Sequence, residues 1–307
     1  MSMSVVVQQV LVVFGYVLVG WMACKIGVLG NKVNDSLTNI IVKITLPFSI
    51  IAAADVDTSG SDLANMGWTA LVLLISYMIS AALVACYARV KKLTPEQHAI
   101  YNGLCVFPNS GFIGIPLCVA LMGDRGMLYG AAGMVAYNAF FFTYQYLLFR
   151  PNEKIRLKLF LTPLNLCVVA LGLMLALGVR LPTTIQTVTY NVGAMTTPLA
   201  LMIIGAMLAE GDLMSLLRSK KSYLFTLLRN IVFPLALLCV LAVLPFDYEM
   251  KLATIMYAAC PCANLTVVFA AQAKMETELC AKTILLSTLF FLVTLPFILW
   301  VAQIVFA

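Results

Sequence analysis

From Gln97 to Gly123 the chain carries no Asp, Glu, Lys or Arg. Equally uncharged runs cover Met1–Cys24, Leu63–Ala88, Gly126–Phe149, Leu159–Val179, Leu181–Ala209, Leu252–Ala273 and Thr283–Ala307. Two more, Val33–Ala54 and Ser222–Pro245, hold one charge each, Lys43 and Arg229. An apolar run of ~18 or more residues is long enough to cross a bilayer. Ten such runs imply ten spans, numbered 1 to 10 in chain order. They are continuously apolar, so the alternation expected of barrel strands is missing. Composition agrees: 63% of residues are hydrophobic, 10% are charged and mean hydropathy is +1.01. A chain like this has no water-facing surface to offer.

The charges orient the bundle. Loops after odd-numbered spans hold fourteen Lys and Arg, and those after even-numbered spans hold only Arg125, Arg180 and Lys251. Positive loops stay in the cytoplasm, which predicts both termini outside. The net charge of +6 therefore reports topology, and nucleic acid is not an expected partner. The nine cysteines show no metal-ligand spacing and read as packing residues. No metal and no cofactor are expected.

Three stretches recur at nearly one offset. "KITLPFSII" around Pro47 pairs with "MTTPLALMII" around Pro198. "SDLAN" at Ser61–Asn65 pairs with "GDLMS" at Gly211–Ser215. "CVFPNSGFIGI" around Pro108 pairs with "ACPCANLTVVF" around Pro261. The chain thus divides into two five-span repeats, 1–150 and 151–307. Five is odd, so the second repeat is inverted relative to the first. Inverted repeats are a plan of secondary transporters.

Within that plan, "VFPNSGFIGIP" (Val106–Pro116) makes sense of poor helix formers at membrane depth. Proline removes a donor and breaks the helix. The freed backbone groups are tolerated only against protein or a wet cavity. Pro108 breaks span 4 and Pro261 breaks span 9. Asn109, Ser110 and Asn264 stand where they can cap the second halves. Gly111 and Gly114 admit a close neighbour. Inversion brings both breaks together, with two helix N-termini suited to an anion.

These motifs resemble the auxin efflux carrier family, in its bacterial, loop-poor branch of malonate and malate transporters, related to the plant PIN exporters. The resemblance spans nearly the whole chain and is sharpest at Phe107–Leu117 and Ala258–Ala270. Asn109, Gly111, Gly114 and Pro116 match its span 4 pattern; Pro261 and Asn264 match in span 9. It implies an all-α fold similar to sodium/proton antiporters, with spans 4 and 9 broken and crossed. It also implies a scaffold of spans 1, 2, 6 and 7, a transport domain of spans 3–5 and 8–10, a bacterial inner membrane location and, in many members, a homodimer.

The substrate-binding candidates are Asn109, Ser110, Asn264, Asn138, Gln145 and Lys43. Asn138 and Gln145 lie seven residues apart in span 5 and are expected to share a helix face, for a ligand or for interhelical bonding. Arg229 reads as a residue that snorkels to the headgroups. Lys43 divides between snorkelling and balancing an anion beside Pro47; the family has an apolar residue there. All thirteen acids sit in loops or at span ends, which disfavours cation antiport, because a cation needs an intramembrane carboxylate. Sodium symport of the bile-acid type stays open, as does coupling to protons. An enzyme is not expected: the lone His98 has no catalytic partner motif. A membrane ligand sensor is the remaining alternative. The leading expectation is a secondary transporter of a small organic anion, a carboxylate, dicarboxylate or auxin-like acid, with lipid as its surroundings.

Overall fold

The computed structural model describes residues 3–211 and 218–306, and every regular element among them is helical. The repeat partner at Gly211–Ser215 lies outside the described residues beyond Gly211. Six helical stretches are long and apolar enough to cross a membrane: Lys32–Asp55, Gly60–Val90, Ser110–Phe149, Thr183–Glu210, Lys220–Val243 and Glu278–Phe306. Leu11–Lys25 and Pro163–Leu177 are shorter apolar helices. The protein is a polytopic, all-helical membrane protein.

In chain order, α1 is Met3–Lys25. α2 begins as Asn31–Ile40, widens through a π turn at Ile41–Thr45 and continues as Leu46–Ala52. α3 is Gly60–Val90, started by Ser59, whose hydroxyl accepts from the Asp62 amide while the Asp62 carboxylate accepts from the Ser59 amide. α4 is Pro95–Val106, capped by Thr94 with Pro95 at its first turn. α5 covers residues 110–122 and α6 residues 124–149. Between them Gly123 has φ 62°, a left-handed angle that favours glycine.

That glycine reverses the chain. A Cβ on Gly126 would lie 1.9 Å from the Cys118 carbonyl, and one on Gly130 would touch Ile115. α5 and α6 are therefore an antiparallel hairpin with nearly touching backbones. α7 is Pro163–Leu177, capped by Thr162 and closed by Gly178 at φ 65°. α8 is Thr183–Glu210 and α9 is Lys220–Val243. α10 is Tyr248–Ala258, α11 is Asn264–Gln272 and α12 is Glu278–Phe306.

α1, α2 and α8 hold one another through backbone contact and a few bonds. Cβ atoms on Gly20 and Gly205 would sit 1.9 Å from the Met202 and Val17 carbonyls, so α1 and α8 lie against each other at their glycines. Lys25 Nζ donates to Ala209 O (3.0 Å) and Asn34 Nδ2 to Glu210 (3.4 Å). Other links join α6 to α10 and α11, and α4 to the chain just before α12. Arg125 pairs with Glu249 (3.0 Å), Arg150 donates to Gln272 (3.0 Å), and Glu96 accepts from the Glu276 amide (2.7 Å).

Candidate anion site at the helix crossover

Where the sequence marks the fourth and ninth apolar runs, the chain forms two short helices each. α4 stops at Val106 and α5 starts at Ser110; α10 stops at Ala258 and α11 starts at Asn264. Pro108 and Cys262 pair as an isolated antiparallel bridge. The Asn109 amide donates to Pro261 O (2.7 Å), and the Ala263 amide donates to Phe107 O (3.0 Å). Each break thus satisfies backbone groups that the other exposes, which is how non-helical chain survives at this depth. Phe107, wholly buried, locks the crossing in an aromatic cage of Tyr77, Tyr137, Phe140 and Phe141.

The cysteines of "CPC" take part without reacting. The Cys262 thiol donates to Leu104 O (3.2 Å) and the Cys260 thiol to Met256 O (3.4 Å). Both satisfy carbonyls at ends of broken helices. All nine cysteines are free, and no metal-holding cluster occurs among the described residues.

The crossover forms one wall of a cavity of about 550 Å³. Pro108, Asn109, Ser110, Gly111, Ala263 and Asn264 make that wall; Asn138 and Tyr137 of α6 flank it. Thr38, Asn39 and Val42 of α2, and Ile203, Ile204 and Met207 of α8, complete the lining. Asp35 and Thr162 stand at its rim. The lining contains no Lys or Arg. The positive potential available there comes from the N-termini of α5 and α11, whose first amides have no partner within their helices.

Asn109 and Asn264 are not caps: neither α5 nor α11 has a side-chain hydrogen bond at its start. Asn109 sits at φ −74°, ψ 72°, away from the extended geometry of a capping residue, so its amide lines the cavity instead. The Ser110 hydroxyl donates to Pro108 O (3.3 Å). Gly114 accepts the Tyr257 ring, which a Cβ would approach to 3.1 Å, and Gly111 stands beside Met134.

Asn138 and Gln145 do not share neighbours. The π turn Phe141–Gln145 between them widens the helix and rotates Gln145 away. Asn138 stays in the cavity wall and donates to Asn165 of α7. Gln145 is fully buried elsewhere, accepting from Asn102 Nδ2 (2.6 Å) and donating to Ala99 O (2.9 Å). Lys43 is exposed and outside the cavity lining.

Arg229 does not snorkel. It is 3% exposed, with Nε donating to Cys260 O (3.1 Å) and Nη2 to Ala258 O (2.6 Å). Carbonyls left free at the end of α10 hold the guanidinium inside, so it has no need to reach the headgroups. Sequence reasoning also missed Asn165, Thr38 and Asn39. A polar residue on an otherwise apolar helix is the signal that could have found Asn165.

A family described as "Membrane transport protein" matches residues 5–159 and 152–299. An "Uncharacterized transporter" of Methanothermobacter thermautotrophicus is 24% identical over 301 residues, covering 95% of this chain and 96% of that protein.

Proposed function

We propose, for a chain that belongs to the membrane transport protein family of auxin efflux carriers, that it carries a small organic anion by alternating access, held in the crossover cavity. The observation that carries this reading is the crossover itself. Two helix N-termini and the side chains of Asn109, Asn138 and Asn264 converge on one cavity whose lining holds a single carboxylate, the exposed Asp35. Helix N-termini with amide donors beside them suit a carboxylate. The family match and the transporter relative favour transport over ligand sensing.

The same reading takes the chain as ten spans in two inverted repeats, with α4–α5 and α10–α11 as the broken fourth and ninth. The reciprocal bridge between residues 108 and 262 supports it, because it pairs the two break points that the repeat offset relates. It further takes α1, α2, α7 and α8 as the scaffold and the remainder as the moving domain. Apart from Arg180 with Asp57, on the loop joining α2 to α3, one side-chain hydrogen bond links the groups among the described residues: Asn138 to Asn165. Few polar bonds must break for the groups to slide.

Direction follows from the rim. Asp35 and Thr162 each follow a basic loop, so the cavity opens toward the cytoplasm by the positive-inside rule. A smaller cavity, about 260 Å³, lies between the same two groups with Asp124 at the opposite end. In this reading, alternating access opens it as the first cavity closes.

A thermal-shift screen of purified protein against malonate, malate, lactate and indole-acetate, with and without sodium, tests the site. At least one carboxylate should raise the melting temperature, and Asn109→Ala should weaken that ligand about tenfold or more, the loss of one charge-assisted hydrogen bond. A ligand that binds Asn109→Ala as well as wild type would move the site elsewhere.

A further inference from the structure

The cavity has no basic side chain in its lining, yet a guanidinium stands directly behind its wall. The neighbouring carbonyls of Cys260 and Pro261 are held from two sides. Arg229 donates to the first, and the Asn109 amide of the opposite break donates to the second. The charge is thus one peptide unit from the crossover bond. Arg229 comes from α9, at a π turn, Leu228–Val232, that widens the helix at this point; such bulges concentrate at functional sites.

Among the described residues no carboxylate neutralises it. The titratable groups that face it are Tyr77, Tyr137, Cys105, Cys260 and Cys262. Buried charge without a counter-ion is costly in a membrane protein. The dipole end of α10 offsets part of that cost, since it presents partial negative charge to the guanidinium. The corresponding end of α4 receives two neutral donors, the Cys262 thiol at Leu104 O and the Ala263 amide at Phe107 O. The crossover therefore carries a net positive charge. Tyr77 and Tyr257, buried on this side with unpartnered hydroxyls, add no negative charge.

We infer that Arg229 is a fixed counter-charge for the transported anion, doing for it what a co-bound cation would do, so that binding needs no sodium. This rests on reading the cavity as an organic-anion site. It adds that the specificity for negative charge comes from a residue behind the wall rather than one in it. A neutral cargo of the same shape would leave Arg229 uncompensated and bind poorly.

Equilibrium binding of malonate and of its neutral analogue malonamide to purified full-length protein, in sodium chloride and in choline chloride, tests this. Wild type should bind malonate within about twofold in the two salts and prefer it to malonamide about tenfold or more. Arg229→Met should lose most of that preference. Arg229→Lys, which keeps the charge and loses the paired geometry, should recover part of it. Should Arg229→Met fail to fold, the sodium comparison on wild type and the Arg229→Lys preference still decide. Malonate binding that falls tenfold in choline, or a preference unchanged in Arg229→Met or abolished in a folded Arg229→Lys, overturns the role of Arg229 while leaving the anion site standing. Wild type that binds neither malonate nor any other carboxylate overturns both.

Discussion

Asn109 shows how one backbone angle decides what a side chain can do. Its position after Pro108 is a capping position by sequence, and its dihedral angles make it a wall residue instead. The distinction was invisible in the residues, because it depends on the bond from its amide to Pro261 O, 152 positions away. Arg229 was misread for the same reason. Snorkelling is the expected fate of a cation near a span end, and only the carbonyls ending α10 keep it inside. Lys43 has no such partner and stays exposed. Lys43→Met is accordingly expected to keep carboxylate uptake within about twofold of wild type, since an exposed charge is screened by its surroundings; a tenfold fall in initial rate would return Lys43 to the transport path.

At the scale of elements, punctuation was legible and pairing was not. Pro108 and Pro261 announced the breaks, and the Asp124–Arg125 pair announced the boundary that Gly123 turns. The π turns were not legible, because no residue type marks them; the one at Phe141–Gln145 separated Asn138 from Gln145. Gly20 stands in an apolar run that says nothing of its partner, which is the α8 backbone at Met202. The α1–α8 contact allows a direct check. A Cβ at Gly205 meets the Val17 carbonyl at 1.9 Å, whereas one at Gly172 on α7 meets nothing within 4 Å. Gly205→Val should destabilise the protein by about 1–3 kcal/mol or more as a backbone clash, and Gly172→Ala should be near neutral. Melting temperatures of the two purified variants, compared with wild type, decide; equal values would mean that α1 and α8 are not so closely packed.

At the scale of the molecule, the account joins a bundle in two groups to a cavity between them. The division into groups is what the family resemblance implies and stands as a proposal; Arg125 with Glu249 lies within one of its groups, and Arg180 with Asp57 reaches across. The cavity's size and rim could not be read from sequence, since they depend on how α2 and α8 face the crossover. The most direct measurement is flux of a radiolabelled carboxylate, chosen by the binding screen, into proteoliposomes. The account predicts saturable uptake by wild type and an initial rate at least about tenfold lower in Asn109→Ala of unchanged melting temperature. Binding without flux in wild type, or undiminished flux in Asn109→Ala, would contradict it.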